Sequence, residues 1–302
     1  MSFMSVRAKA ALKWGYGHLW DRWPVMLFPA VKRFKQGHGY FPNLVRPRTL
    51  NAKILYRMLF DRRDFIPMFA GKLESRSYVG KRLGNEDALI PLIGAIYRAD
   101  EVADFKFPKR FIMKGNHGSG MNYLHTSDTP PDLDRLKDLC QTWLGFDFAK
   151  YNSEWCYKNV KRAIVVEELL TDIHGEIPRD YKFFCYDGVP LYVKVYNDRF
   201  GDRTSDIFDH RWNNIPGCTG YPNSEIPPPC PPHLAEMLAI AAALSRGVDF
   251  VRVDLYDTGK EVKFGELTTT PARACYMFDR PELDYRFGKP WKQSIRRQLY
   301  DT

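Results

Sequence analysis

A lysine delivered by a strand into a glycine-rich loop is the sharpest chemical signal in this chain: Phe111-Ile-Met-Lys114-Gly115-Asn116-His117-Gly118-Ser119-Gly120. Glycines let successive backbone N–H groups turn toward an anion and the ammonium adds a point charge, so the stretch suits a polyphosphate. Gly115 and Gly120 have the separation of a Walker loop, but Met121-Asn122 stands where Lys-Ser/Thr is required. A Gly-x-Ser-x-Gly nucleophile elbow is excluded as well, because Gly118 directly precedes Ser119. The bland alternative is an ordinary surface turn. His117 is either an acid/base group or a cap for the loop backbone.

A second constellation closes the chain: Arg252-Val-Asp254-Leu-Tyr256 followed by Gly265-Glu266-Leu-Thr268. With the turn centred near Thr258-Gly259, cross-strand partners sum to about 518, so 252 faces 266 and 254 faces 264. Arg252, Asp254, Glu266 and Thr268 then share one face, and Val251, Val253, Leu255, Gly265 and Leu267 share the core face. Two carboxylates held this close repel unless something cationic lies between them. Mg²⁺ fits, since it takes one or two protein carboxylates and completes its shell with phosphate and water. The alternative pairs Arg252 with Glu266 and leaves Asp254 solvated. A one-residue slip would put Asp254 and Glu266 on opposite faces.

A third, weaker signal is Ile164-Val-Val-Glu167-Glu168-Leu-Leu170, an apolar strand ending in acids that could accept from an adenine amino group or a ribose hydroxyl. It is followed by Arg179-Asp180-Tyr181-Lys182, where Lys182 is a second ammonium for phosphate.

Hydrophobic spacing predicts the elements that must position these groups. Asn51–Phe60 reads as a helix capped by Asn51, and a second helix is expected over Ile66–Leu83. Strands are expected at Leu89–Ile96, Phe111–Lys114, Ala163–Leu170, Tyr181–Tyr186 and Leu191–Tyr196, the last two joined by Asp187-Gly188. Helices are expected at Asp132–Trp143 and Leu234–Leu244, and the hairpin Phe250–Tyr256/Glu261–Thr268 turns at Asp257-Thr258-Gly259. Mixed helices and antiparallel hairpins make the class α+β.

The chain has 302 residues, and its longest apolar runs are too short to cross a bilayer. No signal peptide is evident. Six cysteines form no Cys-x-x-Cys pair, which predicts reduced thiols, a cytoplasmic location and no structural zinc. Net charge is +9, but residues 1–83 carry 17 Lys/Arg against 4 Asp/Glu, and the remainder is slightly acidic. So lopsided a charge points to an anionic partner, or to a solvated basic face. Residues 1–40 interleave Trp14, Trp20, Trp23 and Phe28 with basic residues. That pattern suits a peripheral membrane contact on the inner face, or helices packed on the body with Trp in the core.

The order of these parts resembles the ATP-grasp superfamily and, more closely, its teichuronopeptide-biosynthesis (TupA-like) branch, found in cell-surface polysaccharide gene clusters. The resemblance covers about residues 45–290. It rests on Thr49-Leu-Asn51-Ala-Lys53, Ile90-Pro-Leu-Ile-Gly94, the Lys114–Gly120 loop, Trp155-Cys-Tyr-Lys158, Glu167-Glu-Leu-Leu170, Asp180-Tyr-Lys-Phe-Phe184, Arg252-Val-Asp-Leu-Tyr256 and Phe264-Gly-Glu-Leu-Thr268-Thr-Thr-Pro271. It implies an ATP-grasp fold in which two α+β subdomains clamp the nucleotide. Residues 1–45 would be a basic helical extension and 46–110 an N-terminal subdomain. Residues 111–172 would carry the glycine-rich loop, and 173–302 the metal-binding hairpin.

ATP and Mg²⁺ are the cofactors so implied. Lys72 and Lys114 would meet phosphates from opposite sides, with Gly115, Gly118, Ser119 and Gly120 closing over them. Glu167 and Leu169 would meet ribose and adenine, and Asp180 and Lys182 would join the nucleotide contacts. Asp254, Glu266 and Thr268 would hold the metal. Arg252, His117 and Lys182 would be the catalytic residues, Arg252 steadying charge on the acyl oxygen. Two departures stand out. Thr268 replaces the usual metal-binding Asn, and Ala272-Arg273-Ala274 replaces a glycine-rich segment, which turns Arg273 toward an anionic acceptor.

The activity implied is ATP-dependent carboxylate–amine ligation through an acylphosphate, acting on a small-molecule or glycan-linked acceptor in cell-surface polysaccharide biosynthesis. A sugar kinase on the same fold and a glycosyltransferase-like protein are the enzyme alternatives. A binding module for nucleic acid or anionic membrane is the third, though no recognised nucleic-acid signature is present.

Overall fold

The computed structural model describes residues 23–197, 203–217 and 219–293. Helices α1 (Trp23–His38), α2 (Leu50–Phe60), α3 (Phe65–Ala70) and α4 (Lys72–Leu83) come first. A first sheet, ordered β1-β4-β2-β3, is built from β1 (Leu92–Ile96), β2 (Phe111–Gly115), β3 (Asn122–His125) and β4 (Ile164–Glu168). Helices α5 (Leu133–Gly145) and α6 (Phe148–Asn152) lie between β3 and β4. A second sheet, ordered β7-β6-β5-β8-β9, contains β5 (Asp180–Tyr186), β6 (Val189–Asn197), β7 (Thr204–Asp209), β8 (Val251–Asp257) and β9 (Val262–Thr268). Helix α7 (Leu234–Ser245) precedes β8, and α8 (Pro281–Gly288) follows β9. Every pairing in both sheets is antiparallel, which agrees with the α+β class.

Two local expectations are corrected. The cap of α2 is Thr49, whose side chain accepts from Ala52 N, and not Asn51. Asn51 is fully buried and clamps Tyr276 instead: Nδ2 donates to Tyr276 O at 3.0 Å, and Oδ1 accepts from Tyr276 N at 2.8 Å. Asn51→Ala strands both groups in the interior and is expected to cost about 2 kcal/mol, read as a lower urea midpoint with unchanged slope. The single helix expected over Ile66–Leu83 is broken at Gly71, which is extended at φ −79°, ψ 129°. The chain is extended at this one residue and restarts a helix at Lys72, and the position is tight, since a Cβ there would lie 3.0 Å from Val160 Cγ1 and displace the Glu74 carboxylate. Strands β3 and β7 were not legible: one is four residues long, and the other buries Ser205 and Asp206.

Period-two alternation sorts the second sheet into two faces. Tyr181, Phe183 and Cys185 of β5 with Val251, Val253 and Leu255 of β8 meet Phe69, Val79, Met237, Ala241 and Leu244 of α3, α4 and α7. On the opposite face Phe184, Tyr186 and Phe250 pack under α1, α2 and α8, through Phe34, Leu50, Ile54 and Phe287. Those helices cover only part of that face. Further along it lie Asp180, Lys182, Arg252 and Asp254. The first sheet packs Phe111, Met113, Ile164 and Val166 against Leu136 and Cys140 of α5, which leaves Lys114 and Glu167 on its other face.

Met26, Ala30 and Phe34, four residues apart, bury one stripe of α1 against this core, while Phe28 remains 75% exposed near Lys32 and Lys35. Trp14 and Trp20 lie outside the described residues. Among the described residues no helix is long and apolar enough to cross a membrane. Cys140, Cys156, Cys185, Cys230 and Cys275 are free thiols.

Candidate functional site

The hairpin reaches the expected face by an unexpected route. Near its turn the partners are Leu255↔Phe264, Tyr256↔Lys263 and Asp257↔Val262, one residue away from the expected register. Continued, that register would have sent Glu266 to the core face. A bulge between Asp254 and Leu255 leaves Gly265 as the extra residue, and beyond it the pairs are Asp254↔Glu266 and Arg252↔Thr268. The four polar side chains are thereby returned to one face.

They form a chain of charges there. Arg252 grips Asp254 with Nε to Oδ1 at 2.6 Å and Nη2 to Oδ2 at 2.7 Å. The same Nη2 reaches Glu266 Oε1 at 2.5 Å and Thr268 Oγ1 at 3.1 Å. Lys182 on β5, directly opposite Asp254, places Nζ 2.5 Å from Asp254 Oδ2 and 2.6 Å from Asp180 Oδ2. Asp254 is 2% exposed, so the solvated-Asp254 alternative is overturned: two cations share it.

Burial pushes the Asp254 carboxyl up to about 6 against the pull of Arg252 and Lys182. Glu266 ends well below the carboxylate range, because Arg252 and Lys182 outweigh its burial. Lys182 and Arg252 are held above their ordinary values: burial works against each charge, but the facing carboxylates win.

Facing this chain is the glycine loop, pinned to the start of α4. Lys72 Nζ donates to Gly115 O at 2.6 Å and Gly118 O at 2.8 Å. Asn116, fully buried, accepts from Leu73 N and donates to Glu74 and Lys161 O. Gly118 is required because a Cβ would fall 2.7 Å from the Phe148 ring, and Gly120 turns at φ 77°. Burial drags the Lys72 ammonium down to about 8, with Glu266 opposing and Lys114 reinforcing the fall. Lys114 lies diagonal to Glu167 across β2 and β4, and its Nζ meets Glu167 Oε2 at 2.8 Å.

Two cavities flank the charge chain. The smaller, about 350 Å³, is lined by Lys72, Ser119, Gly120, Arg252, Glu266 and Thr268, with Asn152, Glu154 and Arg273 at its rear. The larger, about 970 Å³, is lined by Leu169, Asp180 and Lys182, with Tyr196 and Arg203. Asp254 is bonded to a residue of each. Lys72 from early in the sequence and Glu266 from late in it thus line one cavity.

A family model described as TupA-like ATPgrasp matches residues 52–292. The chain belongs to the TupA-like ATP-grasp family. Its two antiparallel sheets form the ATP-grasp fold of that family. Solved structures with a similar fold include D-alanine–D-alanine ligase from Bacillus anthracis complexed with ATP (14% identity, TM-score 0.38, covering 68% of this chain and 54% of that one). Another is the ATP-grasp ligase PsnB with a phosphomimetic variant of its minimal precursor, Mg and ADP (14%, 0.40, 68% and 52%). A third is the macrocyclase MdnC bound with precursor peptide MdnA, from Microcystis aeruginosa (11%, 0.41, 78% and 64%). The chain thus spans 52–64% of the length of these three structures. No curated protein matches the sequence.

Three of the site expectations for this ATP-grasp chain change in detail. His117 lines neither cavity; its Nε2 donates at 3.0 Å to Trp143 O, which belongs to α5 and not to the loop backbone. Burial also lowers its basicity. Glu167 is not an open acceptor at a strand end, since Arg76 Nη1 takes Oε1 at 2.9 Å and Lys114 takes Oε2. The cation between Asp254 and Glu266 is the Arg252 guanidinium. Among the described residues no group of three or more His, Cys, Asp or Glu is placed to hold a metal ion by itself. Of the two carboxylates, Glu266 is the one open to Mg²⁺, its side chain 45% exposed and lining the cavity, whereas Asp254 lines neither cavity and has both oxygens held by Arg252 and Lys182. Arg76, Tyr196, Arg203, Asn152 and Glu154 were missed, because each joins the site only through contacts distant in sequence.

Proposed function

We propose that this chain is a carboxylate–amine ligase that holds Mg-ATP across the charge chain. The adenosine would lie in the larger cavity beside Leu169, and the acceptor in the smaller one. The observation that carries the reading is that Lys72 from α4 and Arg252, Glu266 and Thr268 from the terminal hairpin line a single cavity, while Lys182 of the same charge chain lines the next.

A substrate carboxylate would attack the γ-phosphate, giving an acylphosphate and ADP; an amine would then displace phosphate to leave an amide. Positioning and cationic stabilisation lower such barriers with little side-chain acid–base chemistry. Lys72, Ser119 and Gly120 would hold the transferring group, with Lys114 beneath the loop, and Lys182 would meet the nucleotide phosphates. Arg252 would steady the developing charge on the acyl oxygen. Glu266 and Thr268 would supply the open oxygens for Mg²⁺, with Asp254 joining them only by giving up a contact to Arg252 or Lys182, and the part of the metal is to neutralise phosphate charge. The resemblance to the teichuronopeptide branch supports a role in cell-surface polysaccharide biosynthesis.

Glu266→Ala tests the reading, since that side chain faces the cavity and not the core. It is expected to weaken Mg-ATP binding at least about tenfold by calorimetry, with an unchanged circular-dichroism spectrum. Unaltered nucleotide affinity in that variant would overturn the assignment. ADP release across a panel of uronic acids and amines, with product analysis, separates an amide product from a phosphosugar.

A further inference from the structure

Helix α1 and the loop after it precede the family-matched residues 52–292, and neither lines a cavity of the site. Between Asp21 and Asp61 the sequence holds eight Lys/Arg and no Asp or Glu. The stripe of Met26, Ala30 and Phe34 packs on the core, yet the outer side of the helix is apolar as well as basic. Phe28, Lys32 and Lys35 follow one another there at i, i+4 and i+7, all exposed. Arg33 turns the other way, toward Glu154 and Cys275, with Nη1 3.4 Å from Asn152 O.

The loop continues this surface. Phe41 is 64% exposed, and Lys35 Nζ lies 4.3 Å from its ring centroid, so the loop folds back against the outer stripe. Tyr40 is tied edge-on to Phe34, with ring centroids 5.5 Å apart. Further on, Asn43 Oδ1 accepts from Val45 N at 3.1 Å and Arg46 N at 2.9 Å. That local turn holds Val45 out at 83% exposure beside Arg46. Among the described residues Lys32, Lys35 and Arg46 have no ion-pair partner. Asp284 of α8, the carboxylate that acts on Tyr40, is buried and accepts from Asn51 N at 2.9 Å, so it does not offset these cations.

We propose that this face docks on an anionic phospholipid surface, with Phe28, Phe41 and Val45 entering the head-group boundary and Lys32, Lys35 and Arg46 meeting lipid phosphates. Scattered exposed apolar residues are ordinary on any protein. Here they stand among cations with long aliphatic stems, which matches a layer that is anionic outside and hydrocarbon beneath. A nucleic acid offers the charge but no hydrocarbon, and Val45 has no ring to stack on a base. Because the inner stripe of α1 is fixed to the core, the helix lies along the face it presents, as an interfacial helix must. Both alternatives raised by the sequence then hold: one side of the helix packs on the body and the other is free for lipid. The inference is independent of the ligase reading.

The test is flotation of the full chain with phosphatidylcholine vesicles, with and without phosphatidylglycerol. Wild type is expected to float with the anionic vesicles, and less so as salt rises. Lys32→Glu/Lys35→Glu should lower the partition coefficient at least about tenfold. Phe28→Ser/Val45→Ser should lower it by a similar factor, at high salt as well as low. Lys106→Glu/Lys109→Glu makes the same charge change at exposed positions before β2 and should stay within about twofold of wild type. All three variants should melt at the wild-type midpoint, since the altered side chains are exposed. The two pairs on this face are independent, so a folding defect in one leaves the other decisive. Wild type that ignores anionic vesicles, a correctly folded pair that binds as wild type, or a control that loses as much as Lys32→Glu/Lys35→Glu would each overturn the docking surface. Capture of a single-stranded oligonucleotide in place of vesicles, lost in the same variants, would overturn it in favour of nucleic acid.

Discussion

Arg252→Met is expected to destabilise the fold by about 3–5 kcal/mol, the usual cost of removing one partner of a buried ion pair. The guanidinium is 10% exposed and binds both oxygens of Asp254 and one of Glu266. Without it Asp254, already raised to about 6 by burial, keeps only Lys182 and is left a partly uncompensated buried carboxylate. The double variant Arg252→Met/Asp254→Asn should recover part of the loss, because deleting both halves of a buried pair leaves no stranded charge. Urea midpoints for the two variants decide the matter. A single-variant loss below about 1 kcal/mol, within the ordinary worth of an exposed pair, would show that the chain of charges is solvated. The same substitution should abolish ADP release, and Glu266→Ala should do so without the stability loss. That contrast separates the two roles of the cluster.

How much of this was legible depends on the range over which each contact acts. Alternation along β8 and β9 placed Arg252, Asp254, Glu266 and Thr268 on a common face from sequence alone, since a period of two needs only local residues. The bulge at Gly265 was not legible: one extra glycine leaves no mark on the hydrophobic pattern, yet it reverses a register slip that would otherwise have buried Glu266. Pairings across the chain were harder still. Lys114 and Glu167 could each be singled out as chemical residues, but their 2.8 Å contact depends on β2 pairing with β4, fifty-three residues apart. The Gly71 break leaves only a weak mark in the sequence, because an isolated glycine inside a helical pattern is often tolerated. Glu154 carried one faint signal, an acid immediately before Trp155-Cys156. Nothing local announces that Arg33, in a helix of its own, stands behind it.

Lys72→Met is expected to lower Mg-ATP affinity about 100-fold and to erase a proton uptake that wild type shows on binding. An ammonium has three donors, and Lys72 commits two to Gly115 O and Gly118 O, which leaves one for a ligand in the cavity it lines. Its folded value of about 8 lies below the ordinary 10.5 because burial strips water from the charge. Between those two values the unfolded chain binds more protons than the folded one, so stability rises with pH across that window. The stabilising contribution of neutral Lys72 is therefore complete above about 10.5 and is lost as pH falls through about 8. At neutral pH the protein carries a buried, strained ammonium, a penalty of the order of 1–3 kcal/mol. Phosphate oxygens beside that ammonium would relieve the penalty and raise its value again. Near pH 9 binding should then take up close to one proton, and near pH 6.5 almost none, read by calorimetry in buffers of different ionisation enthalpy. Lys114 and Lys182 are held above their ordinary values and stay charged across this window, so they add nothing to the uptake. Uptake that persists in Lys72→Met, or that is absent from wild type at pH 9, would remove this lysine from the phosphate site.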